Sequence, residues 1–312
     1  MATNIESAPA LAPRGNFPRM TVGWIGVIIL AVIALPCLLT LPWSLSNYDA
    51  MSEDRLMAPT IAHPFGTDLH GRSMLWRCLT GGAISLGVGL CAAAISVVIG
   101  VTWGAVAGLA GGRVDAIMMR IVDVFYGLPY ILLVVLVKIA MQPIVQSMLG
   151  GTLDQRASES IASIITLLIA IGGVSWLTMA RVIRGQVLSL RAQPFVEAAR
   201  ACGLGPVRIL RVHLLPNLVG PIVVYTTLTV PTAILQESFL SFLSIGVQPP
   251  LPSWGNLAAE GAQEFAKLAD PGLTFRWWLA FWPCALLGLT LLALNFLGDA
   301  LRNRLDPRRL KT

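Results

Sequence analysis

Residues Ala83–Ala110 read AISLGVGLCAAAISVVIGVTWGAVAGLA, twenty-eight positions without one charged side chain. An α-helix rises 1.5 Å per residue, so this run reaches about 42 Å, more than the roughly 30 Å of hydrocarbon in a bilayer. Within it Ala92, Ser96, Gly100, Gly104 and Gly108, continued by Gly112, recur at every fourth position. Such a ridge lies along one helix face and lets a second backbone approach, which is how helices pack in lipid, where no hydrophobic effect drives them together. The ridge is open to two readings: internal packing, or a face that meets a partner subunit or moves against a neighbouring helix.

Working outward from this run, five more apolar stretches of spanning length are found near Val22–Leu41, Ala116–Met141, Ile161–Ala180, Val219–Ile245 and Trp278–Leu301. The composition agrees: 55% of the 312 residues are hydrophobic and 12% are charged, against about 25% charged in an ordinary soluble domain. A soluble globule with so few charges could not cover its surface, and a disordered chain has the opposite composition. The expected fold class is an all-α membrane protein with six transmembrane helices. The first stretch is too long for a signal-peptide core and leads into Pro42-Trp43-Ser44-Leu45, so it is read as an uncleaved anchor.

Lys and Arg set the orientation. With the N-terminus inside, the inner segments hold fifteen of them and the outer segments six, with Lys138 within a span. Both termini are therefore expected in the cytoplasm. The formal charge of +6 reflects this asymmetry and does not argue for nucleic acid. The expected organisation is a cytoplasmic tail over 1–21, a first span and periplasmic segment over 22–80, a five-helix core over 81–305, and a second cytoplasmic tail over 306–312.

Several chemistries are missing from the sequence. No glycine-rich loop ends in Gly-Lys-Ser/Thr, so ATP hydrolysis by this chain is not expected. Gly173-Val174-Ser175-Trp176 does not make an intramembrane serine protease motif, and His63, His70 and His213 all lie outside the spans. His63 and His70 flank Asp68, but two imidazoles and one carboxylate in an irregular loop are a weak ligand set, and no metal is expected. The scattered Cys37, Cys78, Cys91, Cys202 and Cys284 suggest neither disulfides nor zinc and are read as packing residues. Ionisable groups inside a bilayer cost about 2.5 to 3.5 kcal/mol each on insertion scales. Asp123 and Lys138 are placed near opposite ends of the third span, within reach of the interfaces. Glu237, beside Gln236 and after a Pro231 expected to kink the fifth span, is left between two roles: lining a translocation path and structural pairing.

Between the fourth and fifth spans, residues 181–218 form a basic segment on the inner side. Pro194 starts and Gly203 stops a short helix; a second, from Val207 to Leu215, is expected to end near Pro216. Taken alone, this helical pair reads as either a solvated connector or a docking element.

Its residues resemble a known family. Glu197-Ala198-Ala199, then Gly203, then Leu215-Pro216 is similar to the E-A-A-x3-G-x9-I-x-L-P loop of ATP-binding cassette importer permeases, with His213 at the isoleucine place as in peptide permeases. The segment His63-Pro64-Phe65-Gly66-Thr67-Asp68-Leu69-His70-Gly71-Arg72 resembles one that follows the first span in the second permease subunit of dipeptide, oligopeptide and nickel importers. The run from Ser241 to Pro250 and Pro252-Ser253-Trp254-Gly255-Asn256 resembles another segment of that subunit, with Ser244 where glycine is usual.

The resemblance implies the type I importer permease fold in the bacterial inner membrane. It also implies pairing with a homologous permease, two cytoplasmic ATP-binding subunits and an external substrate-binding protein. ATP and magnesium would be used by the ATPase partners, with no cofactor on this chain. It assigns Glu197, Ala198, Ala199, Gly203, Leu215 and Pro216 to a loop that docks into an ATPase. The outer segment from Gly246 to Trp277 would face the binding protein. Di- and oligopeptides are the expected cargo. A nickel or opine permease of the same fold, and a membrane scaffold without transport, are the alternatives.

Overall fold

The computed structural model describes residues 19–149, 155–266 and 276–305, and among them the regular structure is helical apart from one isolated bridge between Thr67 and Ser73. The helices are α1 (Arg19–Leu39), α2 (Leu41–Asn47), α3 (Met74–Ala110), α4 (Gly112–Tyr126), α5 (Tyr130–Leu149) and α6 (Gln155–Arg191). They are followed by α7 (Pro194–Ala201), α8 (Pro206–Ile209), a π turn (Leu210–Leu214), α9 (Leu215–Phe242), α10 (Trp254–Ala266) and α11 (Trp278–Leu305). Six helical segments are long and apolar enough to cross a membrane, as the sequence predicts. The expected tails lie largely outside the described residues.

Three boundaries differ. The third span is not 116–141: Gly127-Leu128-Pro129 breaks it, and α5 is the spanning element while α4 stands apart. Pro129 has no N–H to donate and disfavours a helical Leu128, so a hydrophobic run alone misplaces this helix. The division at 80/81 falls inside α3, which begins at Met74. The second short helix does not end at Pro216; α8 passes through the π turn into α9, of which Pro216 is the second residue. The connector expected over 181–218 correspondingly shrinks, since α6 runs to Arg191 and α9 starts at Leu215.

The glycine ridge of α3 packs inside the chain, against α6. A Cβ on Gly100 would lie 2.5 Å from the Met179 Cβ, and one on Gly108 2.8 Å from the Val187 Cβ, while Gly104 meets the Ala180 carbonyl. Ala92 and Ser96 on the same face are fully buried. Gly112 does not extend the ridge: α3 has already ended, its φ is +54°, and a Cβ there would meet nothing. Cys37 and Cys78 are packing residues as expected, but Cys91, Cys202 and Cys284 are exposed.

Candidate functional site

Three groups of residues are candidates, and topology places them along one axis of the bundle: the α7–α8 pair at one end, a cavity in the middle, and the α2–α3 loop with α10 at the other end.

At the first end, Gln193 caps α7 in extended conformation and Pro194 occupies its first turn. The helix stops in a left-handed turn at Gly203, φ +79°, where Gly203 N–H donates to Arg200 O (2.9 Å) and Leu204 N–H to Ala199 O (3.1 Å). These are the two bonds of a Schellman stop, and the glycine meets its backbone requirement without side-chain strain. Val196 and Ala199 turn inward onto Ile183, Val187, Ile209 and Leu214, while Glu197 and Ala198 face out. Ala199, only 8% exposed, is packed inward within the loop to which the resemblance assigns it. The π turn supplies one extra residue between Ile209 and Leu214, so both point into this cluster and His213 is left half-exposed beside Phe195. Leu215 and Pro216 are exposed at the start of α9. Arg191 donates to the last carbonyls of α3, those of Gly108 and Leu109 (3.2 and 3.0 Å), where a helix dipole favours a cation.

Midway along the bundle an open-sided cavity of about 550 Å³ is walled by the end of α4, the start of α5, the centre of α6 and one stripe of α9, with Phe125, Tyr126, Leu128, Thr178, Leu228 and Thr232 exposed along it. No charged side chain is among its described lining residues. Tyr130 Oη donates to Gln236 Oε1 (2.6 Å) and lies 3.0 Å from Ser175 Oγ. Near the α4 end Tyr126 bonds Thr178 (2.6 Å) and carries the Arg181 guanidinium 3.7 Å above its ring, while Arg181 pairs with Asp123 at 2.8 Å. Asp123 thus sits on α4, not within a span, and is exposed.

Gln236 lines the cavity; Glu237 does not. Glu237 is 0% exposed and is held in a cage of serines: Ser241 (2.7 Å), Ser238 (3.2 Å), Ser85 of α3 and Ser253. Of the two roles left open for it, the structure supports enclosure in protein. Ser241 also accepts the Val247 N–H, and Ser85 the Trp254 N–H, so the cage ties α3 and α9 to the segment leading into α10. Lys138 likewise departs from expectation. It does not reach an interface: the residue is 3% exposed and Nζ donates to Gly246 O (2.9 Å), just past the C-terminal end of α9. The sequence gives no signal of this pairing, which spans more than a hundred residues.

At the far end, Asp68 is the hub of the α2–α3 loop. It accepts the backbone N–H groups of His70 and Arg72 (2.8 and 2.9 Å), Arg72 Nε (2.7 Å) and Arg77 Nη1 (2.8 Å), and Arg77 forks onto Glu260 of α10 (2.7 and 2.9 Å). Burial pushes the Asp68 carboxyl up, but Arg77 and the bonds from Arg72 outweigh it and hold it below its ordinary value. His63 contacts Asp54, and His70 faces Arg72, so the two imidazoles do not converge on Asp68. Trp278 Nε1 bonds Thr67 O and Phe65 stacks on Trp282 at 4.1 Å, fixing this loop on α11.

Comparison with known proteins matches residues 100–311 to the profile of the binding-protein-dependent transport system inner membrane component family. The chain belongs to this family. It is 42% identical over 252 residues to the dipeptide transport system permease protein DppC of Bacillus subtilis (strain 168), covering 81% of this chain and 71% of that protein. It is 39% identical over 284 residues to the oligopeptide transport system permease protein OppC of Escherichia coli (strain K12), covering 90% and 84%. Among solved structures, the inward-facing MetNI methionine ABC transporter aligns with TM-score 0.55 at 20% identity, over 75% of this chain and 98% of that one. That likeness speaks to the fold. The protein is an ATP-binding cassette importer permease, a multi-pass component of the inner membrane.

Proposed function

We propose that this permease carries di- and oligopeptides across the inner membrane as one of two homologous subunits that enclose the path. The observation that carries the reading is the similarity, over more than four-fifths of the chain, to permeases named for dipeptide and oligopeptide transport. The uncharged cavity is compatible with cargo whose side chains vary in charge. Two cytoplasmic ATPase subunits bind ATP and magnesium and dock on the α7–α8 end, with Glu197 and Ala198 outermost, Gly203 shaping the turn, and Leu215 and Pro216 at its edge. A binding protein delivers cargo at the α10 end. Both termini of this chain are cytoplasmic in this arrangement.

The test is reconstitution with the products of neighbouring genes and uptake of labelled dipeptides and oligopeptides. ATP- and binding-protein-dependent accumulation is expected. A complex that binds ATPases but accumulates only nickel or opines would reassign the cargo, and a chain that recruits no ATPase would leave only a scaffold.

A further inference from the structure

Tyr225, Thr229, Thr232 and Gln236 form one stripe of α9 along the cavity wall, at the three- and four-residue spacings that share a helix face. Their hydrogen bonds have a direction. The Tyr130 proton is committed to Gln236 Oε1, so the 3.0 Å contact between Tyr130 and Ser175 is filled by the Ser175 proton. The chain runs from Ser175 through Tyr130 to the Gln236 carbonyl oxygen. An amide whose oxygen is held in this way turns its nitrogen the other way, and among the described residues Gln236 Nε2 has no acceptor. Both its N–H groups are unspent at the cavity wall.

The threonines complement it. Thr229 donates to Tyr225 O (2.8 Å), and Thr232 to Thr229 O (2.7 Å). Their protons are spent on the helix backbone and their oxygens keep lone pairs. One stripe therefore offers a fixed pair of donors and two hydroxyl acceptors, all neutral. Alternating neutral acceptors and donors are what a peptide backbone presents, whatever its side chains.

We propose that Gln236 is a hydrogen-bond donor to backbone carbonyls of the peptide in transit, and that Ser175 and Tyr130 are positioning residues that aim it. The inference rests on reading the cavity as part of a peptide path. It predicts recognition of the cargo main chain, a specificity shared by all peptides and absent for a metal ion.

The test uses the complete transporter in proteoliposomes, with labelled trialanine and its analogues bearing sulfur in place of one backbone carbonyl oxygen. Sulfur is the poorer acceptor. The wild type should carry trialanine faster than the thioamides. Gln236→Leu should slow trialanine about tenfold, the worth of one hydrogen bond, and should shrink the difference between the substrates, because the two losses concern one bond and do not add. Tyr130→Phe keeps the ring and releases the amide, and should fall between the two. Co-purification of all subunits checks assembly; if Gln236→Leu does not assemble, the Tyr130→Phe comparison decides. Undiminished discrimination against sulfur in the assembled variants, or trialanine transport at the wild-type rate, overturns the proposal while leaving the peptide path standing. A wild-type complex that moves no di- or oligopeptide overturns both.

Discussion

Arg184 of α6 grips Asp115 of α4 through two parallel bonds, Nε to Oδ1 at 2.5 Å and Nη2 to Oδ2 at 2.6 Å. Val122 and Met119 seat α4 in the core, and this fork adds a polar tie from α4 to α6. Asp115→Ala should destabilise the solubilised protein by about 1 to 3 kcal/mol, the range for charge-assisted bonds. Arg184→Lys should recover only part of the loss, because an ammonium lacks the planar fork. Thermal unfolding in detergent reads both; equal stability of Asp115→Ala and wild type would show the fork to be idle.

Gly203 tests the stop of α7. No atom lies near the position of an added Cβ, so the cost of substitution is conformational alone. Gly203→Val should cost at least about 1 to 2 kcal/mol, the penalty of a left-handed turn, and weaken stimulation of the ATPase by loaded binding protein. Gly203→Asn, which tolerates that turn, should retain most of it. Equal stimulation in both variants would mean that the turn is not needed for coupling.

Ala198 and Ala199 are adjacent and should respond differently to bulk. Ala198 is outward, so Ala198→Trp should leave the melting temperature in place and prevent co-purification of the ATPase subunits. Ala199 packs on Val196 and Ile209, so Ala199→Trp should destabilise the chain itself by about 1 to 3 kcal/mol or more. Identical behaviour of the two variants would contradict the placement of α7.

Orientation is checked by fusions. A reporter active only outside the cytoplasm should work after Gln263 and fail after Gly205. The reverse pattern would invert the assignment.

The Asp68 hub carries a pH dependence. Its pKa is depressed in the folded protein, so its stabilisation is complete above the ordinary carboxylate value of about 3.9 and is lost as pH falls through the depressed one. Asp68→Asn should lower stability at neutral pH and flatten the acid limb of the stability curve. Parallel acid limbs for variant and wild type would assign that limb to other groups.

Five of the six spans, the ridge and the stop of α7 were legible because each is local: apolar length, a period of four, and a proline and glycine that bracket eight residues. What the sequence concealed is what distant segments do to one another. Lys138 has the hydropathy signature of a residue escaping to an interface, and only the approach of Gly246 to α5 makes its burial intelligible. Gln236 and Glu237 read as one polar pair, yet a helix turns about 100° between neighbours, so one lines the cavity and the other enters a cage built from α3, α9 and the approach to α10. The inward turn of Ala199 was hidden because outward and inward alanines look alike until the Ile209 and Leu214 side chains are placed.

The passage of α8 through the π turn into α9 has a mechanical consequence. From Pro206 to Gln236 the backbone is helical without an intervening loop, a rod of about 45 Å at 1.5 Å per residue. Pro221 and Pro231 lie within it, each removing one backbone bond, so the helix is continuous but can bend at those two places. The stripe from Tyr225 to Gln236 belongs to the same continuous helix as the surface beside α7, so the cavity wall and that surface are joined by helix alone, with Pro221 before the stripe and Pro231 within it as the points of bending.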